Sequence, residues 1–354
     1  LWVFASPVWG RLSDRVGRKP IAAFGLAAYA VSMGSFALVV LLGLNGVLSG
    51  WVLFLWLILA RAIFGAFGSA SSPAAQAYVA DHTRPFERME HFAGLTAAFA
   101  LGQAFGPALC AALAARLGLV FPIALVAVLA TAASYAIWRF LPEAERPKAQ
   151  PRSGEWRESV ALMADRRLSA YLLYGVALSL VAGVTVQVFG LFTMDRLQVQ
   201  GEAGAELIAA GFMVSALALL ATQMAVLPRL RLGSRALMAW GAGLIGAGIA
   251  IQIVAPSLGA LLVSQALQGL GFGLARPGFS GGASIAVGPD EQGAAAGLVV
   301  ATNGAGFVLS PLVGGVAYEH LGMNAPLLIM LALLAAMTIF ALRSRRLRGA
   351  VTAN

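Results

Sequence analysis

The chain has 354 residues, 60% of them apolar and only 11% charged, with a formal charge of +9 and a mean hydropathy of +0.83. An ordinary soluble domain carries about 25% charged residues, so this composition leaves too little polar surface to cover one in water. Disorder, collagen and disulfide scaffolds are also excluded, the last by the single cysteine, Cys110. What remains is an all-α membrane protein rather than a barrel, whose strands would alternate over about ten residues.

In chain order the apolar segments run 1–10, 21–43, 50–80, 91–115, 119–141, 168–193, 204–227, 236–255, 257–287, 293–318 and 323–343. No Asp, Glu, Lys or Arg lies between Lys19 and Arg61 or between Arg235 and Arg276. Each gap holds two spans of about 20 residues and a hairpin. Segments 50–80 and 257–287 exceed the bilayer thickness, so they tilt or protrude. Residues 142–167 are the one long polar stretch, read as a solvated linker with a surface helix at 154–166. The organisation is therefore 1–141 as a first transmembrane half, 142–167 as linker, 168–343 as a second half and 344–354 as a basic tail.

The loops alternate in charge. Twenty of the 24 basic residues fall on one side, among them Arg11, Arg15, Arg84, Arg88, Arg229 and Arg343. By the positive-inside rule that side, with the linker and the tail, is cytoplasmic. The excess charge thus reads as topology rather than nucleic-acid binding.

The halves repeat at an offset of 204: Gly65/Gly269, Pro73/Pro277, Glu87/Glu291, Gly102/Gly306, Pro107/Pro311, Gly118/Gly322 and Pro122/Pro326. Upstream the offset becomes 216, pairing Gly17 with Gly233 and Gly25 with Gly241, so the first half holds 12 extra residues, expected around Gly43–Gly50. Parallel repeats are a transporter architecture. Segment 204–227 corresponds to segment 1–10, which leaves 168–193 without a counterpart. The expectation is that one helix and part of the next precede Leu1, making six helices per half.

Three motifs carry a resemblance. Gly10-Arg-Leu-Ser-Asp14-Arg15-Val-Gly17-Arg18-Lys19-Pro20 resembles the signature loop between the second and third helices of the major facilitator superfamily, with a degenerate copy at 228–235. Arg61-Ala-Ile-Phe-Gly65-Ala-Phe-Gly68 resembles the arginine motif of the fourth helix. Gly94-x7-Gly102-x3-Gly106-Pro107 resembles the antiporter motif of the fifth, with Cys110-Ala111 where that family has Gly-Gly. The chain is similar to the tetracycline-resistance and multidrug efflux group of drug:proton antiporters.

The resemblance implies two six-helix bundles in pseudo-twofold arrangement, alternating access, and export of small amphipathic or cationic compounds against protons. It implies a monomer in the cell inner (plasma) membrane, with a small molecule, protons and the bilayer as partners. An uptake symporter and a non-transporting receptor or scaffold are the alternatives. In the signature loop it implies gating: Gly10 and Gly17 allow a tight turn, and Asp14 latches the start of segment 293–318 around Gly293–Ala296. A carboxylate suits that place, because a helix start carries free N–H groups and about half a positive charge. Arg18 would hold Asp14 by a charge-assisted bond, with Arg15 and Lys19 beside it.

The residues themselves point to a polar pathway. Arg61 sits about eleven residues into its span, where an arginine costs about 2.5–3.5 kcal/mol unless paired or wetted. It shares one helical face with Gly65, Gly68 and Ser72. Gln103, Gln265, Gln268 and Asn303 also lie within spans, Gln265 at the repeat position of Arg61. Arg276 lies nearer the cytoplasmic end and is expected to snorkel. Gly94, Gly102 and Gly106 form a small-residue stripe that packs helices, and Gly106-Pro107 would bend a helix at the cavity. No acid lies mid-span, and residues 21–43 and 236–255 lack the acids of the tetracycline exporters. The sequence shows no phosphate-binding Gly-x4-Gly-Lys motif, metal-ligand cluster or nucleophile constellation, so no cofactor, metal site or catalytic residue is expected and the chain is not read as an enzyme.

Overall fold

The computed structural model describes residues 1–84, 87–142, 162–199, 201–230, 232–288 and 291–344. All eleven expected segments are helical, and no strand occurs among the described residues. With no water in the bilayer to satisfy backbone groups, helices are the structure open to such runs. Among the described residues, nine are long and apolar enough to span a membrane.

The first repeat comprises α1 (Trp2–Val16), α2 (Arg18–Leu44), α3 (Gly50–Ala66), α4 (Ser71–Asp81), α5 (Arg88–Leu117) and α6 (Val120–Phe140). The second comprises α7 (Ser169–Leu197), α8 (Gly201–Ala221), α9 (Leu227–Leu230), α10 (Ser234–Val254), α11 (Leu258–Ile285), α12 (Gln292–Ser310), α13 (Val316–Leu321) and α14 (Ala325–Arg343). Three of the expected segments are interrupted. A 3₁₀ turn at Gly68–Ala70 separates α3 from α4, and π turns at Thr222–Val226 and Pro311–Gly315 follow α8 and α12. The second π turn begins at the proline, which lacks the N–H an α-helix needs there.

The repeat reappears as geometry. A Cβ on Gly25 would strike the Ser71 backbone, and one on its counterpart Gly241 would strike Ala275, the counterpart of Ser71. Gly118 and Gly322 both turn the chain at positive φ, 87° and 93°. The 12 extra residues are shared along the chain rather than confined to the hairpin. α2 has 27 residues against 21 in α10, and the Gly50–Asp81 span has 32 against 28 in α11.

The chain forms two compact units: Leu1–Thr83, Phe105–Met163 and Val287–Ala301 in one, and Arg84–Ala104, Ala164–Ala286 and Thr302–Asn354 in the other. The first part of α12 thus belongs with α1–α4, and the first part of α5 with the second repeat. Most of the linker, including 154–161 of the expected surface helix, and the tail beyond Ser344 lie outside the described residues.

Candidate functional site

In the first unit the signature motif is mostly helix, not loop. α1 continues to Val16 and α2 starts at Arg18, so Gly17 alone makes the turn, at φ 115°. Gly10 is therefore no turn residue. It lies buried inside α1, where a Cβ would be driven into the Gly293 carbonyl, so its role is close backbone approach. Gly293 and Gly297 meet Gly10 and the Ser6–Pro7 backbone in the same way. Two helices lie backbone to backbone here.

That approach puts the start of α12 against Asp14. The Gly293 N–H donates to Asp14 Oδ1 at 2.9 Å. Arg18 Nη1 meets the same oxygen at 2.5 Å, while Arg18 Nε donates to Asp81 Oδ2 at 2.8 Å. Ser13 Oγ accepts from Arg18 at 2.8 Å and donates to the Gly10 carbonyl. Arg18 is buried, at 6% side-chain exposure, and spans two carboxylates. Burial raises the Asp14 carboxyl above the ordinary value of 3.8, and Arg18 and the Gly293 N–H draw it part of the way back. Lys19 lies 5.9 Å from the Trp138 ring, and Arg15 is exposed.

The corresponding corner of the second unit is built differently. Arg88, at the start of α5, donates to the Ser284 carbonyl at 3.2 Å. Ala93, Leu227, Leu237 and Leu274 form a buried apolar cluster, and Ser234 donates to the Gly278 carbonyl at 2.6 Å.

The polar residues inside the spans divide into occupied and unoccupied groups. Gln268 Nε2 donates to Gln252 Oε1 at 3.0 Å, joining α11 to α10. Ser179 donates to Asn303 Oδ1 at 2.9 Å and so ties α7 to α12. Gln265 is buried near Gly211 of α8. Arg61 is exposed on α3, 5.0 Å from the Phe64 ring and 6.0 Å from Phe36, with Met33 Sδ at 3.9 Å. A Cβ on Gly94, Gly102 or Gly106 would meet nothing within 4 Å among the described residues. Gly306 and Gly183, by contrast, lie against Ser179 and Ser310. The side chains of Gln103 and Pro107 lie outside the described residues.

The Major Facilitator Superfamily profile matches residues 2–230 and 210–353. The chain belongs to this family. It is 26% identical to the class B tetracycline resistance protein of Escherichia coli over 329 residues, which is 90% of this chain and 76% of that one. It is 30% identical to the class D protein of Salmonella ordonez over 194 residues, 54% of this chain and 45% of that protein. The human organic anion transporter MFSD10 shares the fold at TM-score 0.79 and 21% identity, over 96% of this chain and 80% of its own. The fucose:proton symporter of E. coli does so at 0.75 and 16%, over 97% of this chain and 89% of its own.

As a member of this superfamily the chain is a multi-span membrane transporter, not an enzyme. The motif reading missed Asp81, the second acid on Arg18, and Gln252, the partner of Gln268. Asp81 had a signal: it is the one acid closing an otherwise apolar 50–80 run. Gln252 had none beyond being a polar residue in a span.

Proposed function

We propose that the chain exports small amphipathic or cationic compounds in exchange for protons, by alternating access, as a monomer in the inner (plasma) membrane. The linker and the tail lie on the cytoplasmic side, where the positive-inside rule puts the basic loops. One observation carries the reading: Asp14, held by Arg18 against the first backbone N–H groups of α12, with glycines at each close approach. Such a contact is stable when formed and breaks as a unit, because it depends on one carboxylate and one helix start. It therefore suits a gate. The tetracycline-resistance relatives support the direction of transport and the counter-ion. Arg61, with rings rather than a carboxylate beside it, is the candidate coupling residue of the first unit; Gln103, Gln265, Gln268 and Asn303 are the candidate substrate or coupling residues of the second.

Drug-dependent proton release from energised inverted vesicles tests the proposal, followed with an acridine dye over a panel of amphipathic compounds. Release is expected for the wild type and is lost in Arg61→Ala at unchanged expression. Accumulation of the same compounds in the cell, driven by the proton gradient, would overturn export in favour of uptake.

A further inference from the structure

Arg276 lies on α11 nine residues before its end, about 13 Å into the span at 1.5 Å per residue. A snorkelling arginine would reach toward that nearer end. Instead its guanidinium lies 5.6 Å from the ring of Phe272, one turn deeper, and Phe272 is buried. No hydrogen bond or ion pair engages the guanidinium among the described residues, and the side chain is half-buried. Its five donors are unspent at a depth where an unpaired charge is costly.

A second group without a partner among the described residues lies just past the end of the neighbouring helix α8. Gly269 of α11 meets Ser215 and Ala218 of α8, and Gly273 meets Leu219 and Thr222. Residue 276 continues this strip by three residues, which brings it level with the π turn Thr222–Val226. Gln223 lies in that turn, and Leu227, just after it, belongs to the same buried apolar cluster as Leu274. Gln223 is 4% exposed, and both its amide nitrogen and its amide oxygen lack a partner among the described residues. A buried amide left unsatisfied costs about 1–3 kcal/mol. π turns of this kind are frequent at functional sites.

We propose that Arg276 and Gln223 form an oxyanion subsite, which takes the carboxylate of an amphipathic cargo while Phe272 supports its apolar body. The planar fork of an arginine receives a carboxylate in two parallel hydrogen bonds. The amide N–H₂ of Gln223 supplies a further donor. This deepens the export reading and narrows its amphipathic class to members bearing an acid group, against the cationic members that the family resemblance implied.

The test is equilibrium binding to the purified full protein, which needs neither a proton gradient nor transport. Its outcome is thus separable from that of the vesicle assay. Naphthalene-2-carboxylate and its neutral isostere 2-naphthalenemethanol are titrated at pH 7.5 in neutral detergent, following tryptophan fluorescence. The carboxylate is expected to bind at least tenfold more tightly. Arg276→Gln and Gln223→Leu should each erase that preference and leave the alcohol's affinity unchanged, while Arg276→Lys keeps part of it. Unchanged gel-filtration and melting profiles show that the variants are folded. Equal binding of the two probes, or a preference that survives Arg276→Gln, overturns the subsite. A lipid phosphate has the same oxyanion chemistry, so the titration is repeated in phosphatidylcholine bilayers with and without phosphatidylglycerol. A preference that persists with phosphatidylglycerol supports a cargo site. Its loss there assigns the residues to the lipid headgroup and overturns the proposal.

Discussion

The starts of α12 and α5 are the same place in the two repeats, yet they are secured by different physics. At α12, the buried Arg18 pairs with both Asp14 and Asp81, and the backbones touch at Gly10, Gly293 and Gly297. At α5, Arg88 donates to the Ser284 carbonyl, and Ala93 sits in an apolar cluster. The offset of 216 puts Leu230 where the first repeat has Asp14, and Ser234 where it has Arg18. Position 89, the counterpart of Gly293, is methionine. One corner is thus charge-dependent and intolerant of a Cβ. The other has leucine, serine and methionine where the first has Asp14, Arg18 and Gly293, and it includes a buried apolar cluster. The degenerate second copy of the motif reflects a changed mode of contact rather than a weaker version of the same one.

Removing the cation breaks the first corner most severely. Arg18→Ala removes the buried cation that Asp14 and Asp81 share, and should cost up to about 3–5 kcal/mol of the unit's stability. Thermal unfolding in detergent reads this, and Arg18→Lys should recover part of it. Gly293→Val comes next, because its Cβ meets the Gly10 carbonyl and the Asp14–Arg18 pair; overpacking of this kind costs about 1–3 kcal/mol. In the second unit, Arg88→Ala removes the donor to the Ser284 carbonyl and should cost about 1–2 kcal/mol. A loss equal to that of Arg18→Ala would erase the contrast between the corners.

The pH response is the smallest expected effect and the most discriminating. The folded Asp14 carboxyl is raised above 3.8 because burial outweighs Arg18 and the Gly293 N–H. Its contribution is therefore fully present below 3.8 and is lost as pH rises through the raised value. The wild type should melt at slightly higher temperature in mild acid than at neutral pH. Asp14→Asn should flatten that difference. A wild-type midpoint that falls on acidification, with the fall absent in Asp14→Asn, would show instead that the ionised form holds the corner.

Much of the fold was legible because the bilayer reduces the choice of structure. Long uncharged runs must be helices, and Gly and Pro recur where a bend or close contact recurs. Asp14, Gly17, Arg18 and Gly293 were legible as well, since an acid amid a basic loop has no topological use. Gly10 was misread as a turn residue, because a glycine needed for positive φ and one needed for backbone contact look alike in sequence. The extent of α1 was misread for a related reason: polar residues at a helix end are written like a loop.

The sequence by itself determined the helices, their order, the repeat and the family's signature, because these depend on composition and on spacing along one chain. Only the tertiary structure decided which polar residues are already satisfied. Gln268 and Asn303 are engaged with Gln252 and Ser179, while Gln223 and the Arg276 guanidinium find no partner among the described residues. The reason is that a hydrogen bond between helices is set by rotation and axial register. The partners lie 16 residues apart in one case and 124 in the other, and nothing local marks either pair.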